Sequence, residues 1–463
     1  MILQYFYKPV LNFIYEKVIE KINAEIRNLI IYICFLFIFV IQFMTIYEPL
    51  GILNANIRDL SVGFLFGIII ISSVKDKLQI IRWNKLIYIL YTIVALMILA
   101  AGIHHYMGPS YRVFPLTMLV AFMCLFFVWG NRGDYDVLFS LMAKAYLTFS
   151  AMIIVLCFLI YPYPIEGWWY YSVMDINPNG FSKIMLPALF SAVYMVVLEP
   201  TKKINIIYTI IGGISAHFIY ITYSRAGQIC EIAIILLGII FYLRALKMYD
   251  GGWLNIRIII RNIIVIVLLF VVAIFCSSFV LGHITPVTSG YLVQSEEENT
   301  TEVSDVTDEN ESESPQPGSI EYLVMEGNEL IRGNEFLKEL NVFMAQRIAM
   351  WAVYIKNMSL TGHDDFLNPY GPHNQYIEFA YKAGVPAGVL WLLFNIIVGI
   401  LLLYRVIKYR DKYIVFQLFG FIVFFVTSML DTGVMPFTRS FIFIYYIILA
   451  PVFIKKCDKK TIP

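Results

Sequence analysis

The chain is 463 residues long, 60% hydrophobic and only 14% charged, with 36 Phe and 32 Tyr. This composition is too apolar for a soluble domain and indicates a membrane protein. The formal net charge of +1 shows no basic excess, and no nucleic-acid partner is expected. The cysteines are scattered, mostly within apolar runs, and predict neither a metal site nor a disulfide framework: Cys34, Cys124, Cys157, Cys230, Cys276 and Cys457.

Recurrent apolar stretches of about 17 to 25 residues predict a series of membrane-spanning helices. Helices are expected because backbone groups in hydrocarbon must be hydrogen-bonded within their own segment. The sequence therefore predicts an all-α fold, a polytopic bundle of about 12 transmembrane helices. The predicted spans are 29–47, 59–74, 86–103, 113–129, 137–160, 180–198, 204–223, 226–243, 260–282, 385–404, 413–430 and 437–454.

The distribution of Lys and Arg between the connections predicts the orientation of the chain. Basic residues cluster before the first span, after the last one, and in alternate connections. The short connections on the other side and their edges hold only Arg58, Arg112, Arg225 and Arg439. Both termini are therefore expected in the cytoplasm.

Three regions follow from these predictions. Residues 1–282 hold spans 1–9, residues 283–384 form one large extracytoplasmic loop, and residues 385–463 hold spans 10–12 and a cytoplasmic tail. A loop of about a hundred residues is usually functional. Its first part, SEEENTTEVSDVTDENESESPQPG, has nine acidic residues and no Lys or Arg, which predicts a disordered tether whose deletion leaves turnover largely intact. Its second part has helical spacing in EYLVMEGNELI and FLKELNVFMAQRIAMWAVYIKNM, which predicts a helical cap.

Two arginines on the predicted outer side are candidates for anion binding. The stretch ITYSRAGQ places Ser224 and Arg225 where the seventh and eighth spans meet, and Arg347 lies four residues before Trp351, so that these two share a helical face. A guanidinium presents a planar fork that binds phosphate oxygens. The alternatives are an arginine that extends to the membrane interface at 225 and a solvated loop arginine at 347.

A His-Asn pair precedes the tenth predicted span, in GPHNQYIEFAYKAGVPAG. His373 is expected to share a helical face with Ile377 and Tyr381, and Asn374 to cap a short helix that also carries Glu378. A histidine near its ordinary pKa can remove a proton at neutral pH, although a lone histidine is more often structural. No metal site is predicted, because no set of His, Asp or Glu shows metal-ligand spacing.

Four stretches in this order resemble the O-antigen ligase and polysaccharide polymerase superfamily of bacterial envelope proteins. They are NPNGFSKIMLPAL at 177–189, TYSRAGQ at 222–228, RIAMWAVYIKNMSLTGHDDF at 347–366 and GPHNQYIEFAYKAGVPAG at 371–388. Members of that family share a bundle of about twelve helices with a long external loop before the last few spans. The Gly-x-Gly that usually ends the stretch after Trp351 is here Gly362-His363-Asp364.

The resemblance implies glycosyl transfer from an undecaprenyl-diphosphate-linked oligosaccharide, without a cofactor or a required metal. It implies that Arg225 and Arg347 bind the diphosphate and that His373 lies at the acceptor. It also implies a protein of the bacterial inner membrane with its active site on the extracytoplasmic face. Membrane lipids, and a flippase and a chain-length regulator of the same pathway, are the other partners it implies. The remaining predicted substrate-binding residues are Ser224, Asn374, Glu378, Trp351, Trp168 and Trp169. The last two are expected to stack on sugar rings, although an interfacial aromatic belt explains them equally well.

The favoured function is a polymerase that joins repeat units of a capsule, an exopolysaccharide or an O-antigen by an inverting displacement. A ligase that moves a finished glycan to a lipid or protein acceptor uses the same donor chemistry and is the closest alternative. A secondary transporter also has about twelve spans, but it should carry ionisable groups at mid-membrane and similar halves. The near-span charges are limited to Lys144, Lys183 and Glu231. A purely structural assembly protein is the fourth possibility.

Overall fold

A computed structural model describes most of the chain, and the described part is all helical. It covers residues 2–46, 55–73, 92, 96, 135–159, 178–200, 205–249, 256–283, 319–344, 346–363, 365–368, 371–408, 412–431 and 442–453. Within these ranges the chain forms fifteen α-helices and two short 3-10 turns, and no strand. The predicted all-α class is therefore confirmed.

Most of the helices belong to an apolar bundle. In chain order they are α1 Ile2–Lys17, α2 Ala24–Ile46, α3 Ala55–Ser72, α4 Tyr135–Leu159, α5 Pro178–Leu198, α6 Asn205–Ile221, α7 Arg225–Tyr249, α8 Ile256–His283, α9 Ile320–Ile331, α10 Glu335–Phe343, α11 Arg347–Lys356, α12 Gln375–Ala383, α13 Val385–Lys408, α14 Tyr413–Leu430 and α15 Ile442–Leu449. Seven of them are long and apolar enough to cross a membrane: α2, α4, α5, α7, α8, α13 and α14.

The remaining predicted spans differ in how they relate to the described helices. The spans predicted at 59–74 and 204–223 correspond to the shorter apolar helices α3 and α6, and the last one overlaps α15. Those predicted at 86–103 and 113–129 lie outside the described residues, apart from 92 and 96. The described part of the chain is thus all helical and contains helices that can span a membrane, while the count of twelve spans stays a prediction.

Helix α5 occupies the middle of the bundle, where it packs against α4, α6, α7 and α14. Glycines allow α7 to approach it closely, as is usual where transmembrane helices pack. A Cβ at Gly227 would lie 3.0 Å from Ser182 Cβ, and one at Gly238 would lie 2.5 Å from a methyl of Val193. The start of α7 is therefore held against the start of α5.

Basic side chains hold helix ends together at one end of the bundle. Arg244 Nη1 donates to the Val406 carbonyl at 2.8 Å, Lys412 Nζ donates to the Leu198 carbonyl at 2.6 Å, and Arg405 donates to the Pro451 carbonyl. Cations at carboxyl ends of helices complement the negative end of the helix dipole. The opposite end of the bundle holds the starts of α5, α7 and α13 and the end of α14.

Helices α9, α11 and α12 of the segment 319–384 share a small hydrophobic core of their own. It consists of Leu323, Met350, Val353, Tyr354 and Tyr381. Gly327 of α9 faces the backbone of Ala349 in α11 so closely that a Cβ there has no room. The stretch FLKELNVFMAQRIAMWAVYIKNM, for which helical spacing was noted, forms two helices, α10 and α11. Gln346, with φ 65°, separates them.

Two glycine turns join this segment to α13. Gly362 has φ 90° and Gly384 has φ 93°, and in both cases a Cβ would collide with the backbone of the other turn. The Ser359 hydroxyl accepts from the Gly362 N–H at 2.7 Å, and the Ser359 carbonyl accepts from Val385 N at 3.0 Å. Gly362 therefore forms the turn within Gly362-His363-Asp364, and Gly384 forms the bend between α12 and α13.

Candidate functional site

A buried carboxylate lies at the end of the bundle that carries the loop helices. Asp431 directly follows α14 and is 8% exposed. Its Oδ2 lies 2.7 Å from Lys183 Nζ, in the first turns of α5, and its Oδ1 lies 3.4 Å from His373 Nδ1. Asp431 therefore joins a transmembrane helix to the His-Asn motif of the loop.

Arg347 reaches the same carboxyl end of α14 from the loop side. Its Nη1 donates to the Leu430 carbonyl. Burial lowers the pKa of Arg347, the charge of Asp431 opposes this shift, and the positive charge of Arg225 adds to it. The charge of Arg225 therefore contributes to the electrostatic environment of Arg347.

Arg225 owes its position to the start of α7. The Ser224 hydroxyl accepts from the Gly227 N–H at 3.3 Å, which caps the helix, and Gly227 packs on Ser182, the neighbour of Lys183. Ser224 is buried, whereas Arg225 is exposed. Ser224 therefore caps the helix that carries Arg225, and its predicted contact with the substrate stays a prediction.

His373 is held by its neighbours on both sides. Asn374 Oδ1 accepts from the N–H groups of Tyr376 and Ile377 at 3.0 and 3.1 Å, which confirms the predicted cap, and its Nδ2 donates to the Met429 carbonyl at 2.9 Å. Trp351 Nε1 donates to the Pro372 carbonyl at 2.7 Å. The prediction that His373 shares a helical face with Ile377 and Tyr381 is wrong, because His373 precedes α12 in a left-handed conformation with φ 50°.

Residues with a left-handed backbone conformation lie at, or within two positions of, the three predicted catalytic residues. Among the described residues other than glycine, only Tyr223, Gln346 and His373 have a positive φ. Each stands just before the first turn of a helix: α7, α11 or α12. Non-glycine residues in this region cost free energy and cluster at functional sites. The partial positive charge of helix amino termini adds to that of the two guanidiniums, which suits the binding of an anion.

Comparison with protein-family models, curated proteins and solved structures gives no match. The geometry of the residues themselves therefore carries the functional argument. Cations, an imidazole and a carboxylate lie together at one end of an apolar bundle. Such a set can bind a diphosphate and move a proton.

The other predicted site residues make contacts around the loop helices or lie outside the described residues. Burial is the largest cause that raises the pKa of Tyr354 to about 12, and Tyr381 and then Glu378 raise it further. Trp351 and Asn374 hold the backbone around His373 and so position it. Trp168 and Trp169 lie outside the described residues. The described residues contain no cluster of three His, Cys, Asp or Glu side chains that could hold a metal ion.

The sequence analysis missed Asp431 as a functional residue and weighed Lys183 only as a near-span charge. A signal existed, because Asp431 is an acidic residue placed directly after the apolar run 413–430, at its predicted outer end. Buried acidic groups in membrane proteins are costly and are usually paired. Lys183 supplies that partner from a helix far away in the sequence.

Proposed function

We propose that this protein is a membrane glycosyltransferase of the O-antigen ligase and polysaccharide polymerase type. It joins undecaprenyl-diphosphate-linked repeat units into a surface polysaccharide at the outer face of the cytoplasmic membrane. The observation that supports this proposal is that Arg347, His373 and Asp431 lie together at one end of an apolar helical bundle, with Arg225 close enough for its charge to act on Arg347. These residues lie in separate parts of the sequence.

The two guanidiniums provide what the leaving group needs. The bond between the anomeric carbon and the phosphate oxygen breaks, and its electron pair departs with undecaprenyl diphosphate. Arg225 and Arg347 bind and neutralise that charge without a metal ion, with the amino ends of α7 and α11 adding to the positive potential. Preorganised donors of this kind are worth about 10²- to 10³-fold each in turnover.

His373 accepts the proton of the attacking hydroxyl. With its Nδ1–H donating to Asp431, the imidazole presents the Nε2 lone pair to the acceptor sugar. The new bond forms between the acceptor oxygen and the anomeric carbon, on the side opposite the departing diphosphate. Configuration at that carbon is therefore inverted, and Asp431 stabilises the imidazolium that results.

The charge distribution of the bundle supports an outward-facing site. Arg244, Arg405 and Lys412 contact backbone carbonyls at the end opposite Asp431. Basic residues concentrate on the cytoplasmic side of membrane proteins. The loop helices and the polar cluster then face the extracytoplasmic side, in the bacterial inner membrane. The contact of Lys183 with Asp431 near a helix end also weakens the transporter alternative, which requires charges at mid-membrane.

A reconstituted reaction tests this function. Purified protein in liposomes receives lipid-diphosphate repeat units, and the products are separated by length. Wild-type protein should yield a ladder, and Arg225→Ala, Arg347→Ala and His373→Ala should each reduce it at least about 100-fold. The matched control is Arg332→Ala, since the Arg332 side chain is 77% exposed and its ion pair among the described residues is with Glu329 in the loop.

The pattern of products separates the alternatives. A single transfer to an added lipid or protein acceptor, with no ladder, would point to the ligase. Full ladders from all three variants would refute the site. No product from any lipid-linked sugar, together with uptake of a solute into the liposomes, would favour transport.

A further inference from the structure

An apolar cavity lies directly beneath the polar cluster. Its volume is about 90 Å³, and it is lined by residues of α2, α4, α5, α12, α14 and α15. Its walls are mostly aromatic and aliphatic, and they include Phe39, Met142, Phe190, Phe416 and Ile448. Lys183, which contacts Asp431, also lines the cavity, so the cavity and the site share a residue.

The lining residues show that the cavity is long and narrow. On α5 they run from Lys183 to Ser191, which are about 12 Å apart along the helix, and on α14 from Phe416 to Ser428, about 18 Å apart. Lys183 and Ser428 mark the end of the cavity near Asp431, and Ser191 and Phe416 mark the end that lies inside the bundle. The cavity is therefore a shaft parallel to the helices, with its polar end at the site.

The polar end has a buried amide whose nitrogen finds no acceptor among the described residues. Gln375, the residue after the Asn374 cap, is 1% exposed and belongs to the cavity wall, and within the described ranges its Nε2 has no hydrogen-bond partner. A buried amide N–H without an acceptor costs about 1–3 kcal/mol in comparable proteins. An acceptor oxygen of a bound molecule at this end would satisfy it, beside the ammonium group of Lys183.

We propose that this shaft binds the hydrocarbon chain of one prenyl diphosphate and that Lys183 contacts the phosphate nearest to the chain. The proposal rests on the proposed function, in which Arg225 and Arg347 hold the same diphosphate. The single apolar shaft suits one prenyl chain, whereas a phospholipid carries two acyl chains. The positive charge of Lys183 and the amide of Gln375 at the polar end complement an anionic head and its ester oxygen.

Binding of a chain-length series to protein in nanodiscs tests the proposal. The probes are inorganic pyrophosphate and the diphosphates with five, ten and fifteen carbons. Each added five-carbon unit should raise the affinity of the wild type about tenfold or more, because apolar surface leaves water. Ser191→Phe, which fills the shaft, should abolish that gain and leave the affinity for pyrophosphate unchanged. Met142→Trp, on α4, fills the shaft from another helix and serves if Ser191→Phe fails to fold.

Each result has one meaning. A chain-length gain that persists in both filled variants would place the chain elsewhere and overturn this inference. Equal affinities of the wild type for all chain lengths would show that the shaft does not bind the prenyl chain, and this too would overturn the inference. Lys183→Gln should weaken every diphosphate at least about fivefold, with less effect on the matching monophosphates. A wild type that binds no diphosphate at all would instead refute the proposed function.

Discussion

His373 Nδ1 lies 3.4 Å from Asp431 Oδ1, although the two residues are 58 positions apart in the chain. The loop that carries the imidazole is thereby attached to the end of a transmembrane helix. Arg347 makes a second attachment through the Leu430 carbonyl, and Asn374 a third through the Met429 carbonyl. The carboxyl end of α14 is therefore the common support of the candidate site.

The effects of substitutions at Asp431 and Lys183 on stability should be coupled, and loss of the Asp431 carboxylate should also lower turnover. Asp431→Asn leaves the half-buried Lys183 without its counter-charge and His373 without its acceptor, so turnover should fall about tenfold or more. The double variant with Lys183→Gln should lose less stability than the sum of the single variants, by about 0.5–3 kcal/mol. Thermal unfolding of the four proteins measures this coupling. Strict additivity would mean that the two side chains do not interact.

Asn374 should matter more than an ordinary helix cap. Asn374→Ala removes the cap of α12, worth about 1 kcal/mol, and also the hydrogen bond to Met429. Asn334→Ala is the matched control, because Asn334 caps α10 through Leu337 N without a described contact to α14. We expect the larger loss of stability and the loss of turnover from the first variant only. Equal effects on turnover would show that the cap, and not the contact with α14, is what the reaction needs.

Two substitutions of His373 should separate backbone strain from chemistry. His373 has φ 50°, which glycine adopts without cost and alanine does not. His373→Gly and His373→Ala both lack the imidazole and should be inactive. The glycine variant should nevertheless be the more stable by up to about 1 kcal/mol, since relief of strain exceeds the added entropy of the unfolded chain. An alanine variant at least as stable as the glycine variant would contradict a left-handed His373.

Labelling of single cysteines should reveal the orientation. In a variant without native cysteines, Glu335→Cys lies on a loop helix and Lys408→Cys at the basic end of the bundle, and both positions are exposed. A membrane-impermeant maleimide should label the first in intact cells and the second only after lysis. The reverse pattern would place the loop in the cytoplasm and exclude an extracytoplasmic reaction.

Local features of the sequence predicted much of the fold. Apolar runs of sufficient length gave the helices α2, α4, α5, α7, α8, α13 and α14. The cap by Asn374 was also predicted, because it depends on a few neighbouring residues. Such signals are local, and so they survive the lack of any information about distant contacts.

The missed features depend on distant contacts. The role of Asp431 depends on its contacts with Lys183 from another helix and with His373 from the loop. The spacing of residues along the sequence does not indicate these contacts. The left-handed turns at Gln346 and His373 were missed because the surrounding residues have ordinary helical spacing. Tertiary contacts hold these two residues in a conformation that their side chains disfavour.

A structure of the protein with a bound prenyl diphosphate, determined by cryo-electron microscopy in nanodiscs, tests most directly whether Arg225, Arg347 and His373 form one site. We expect the diphosphate between the two guanidiniums, with phosphate oxygens about 3 Å from both and the imidazole facing the acceptor side. A diphosphate bound away from this end of the bundle, or one that contacts neither arginine, would contradict the proposed site and the reaction built on it.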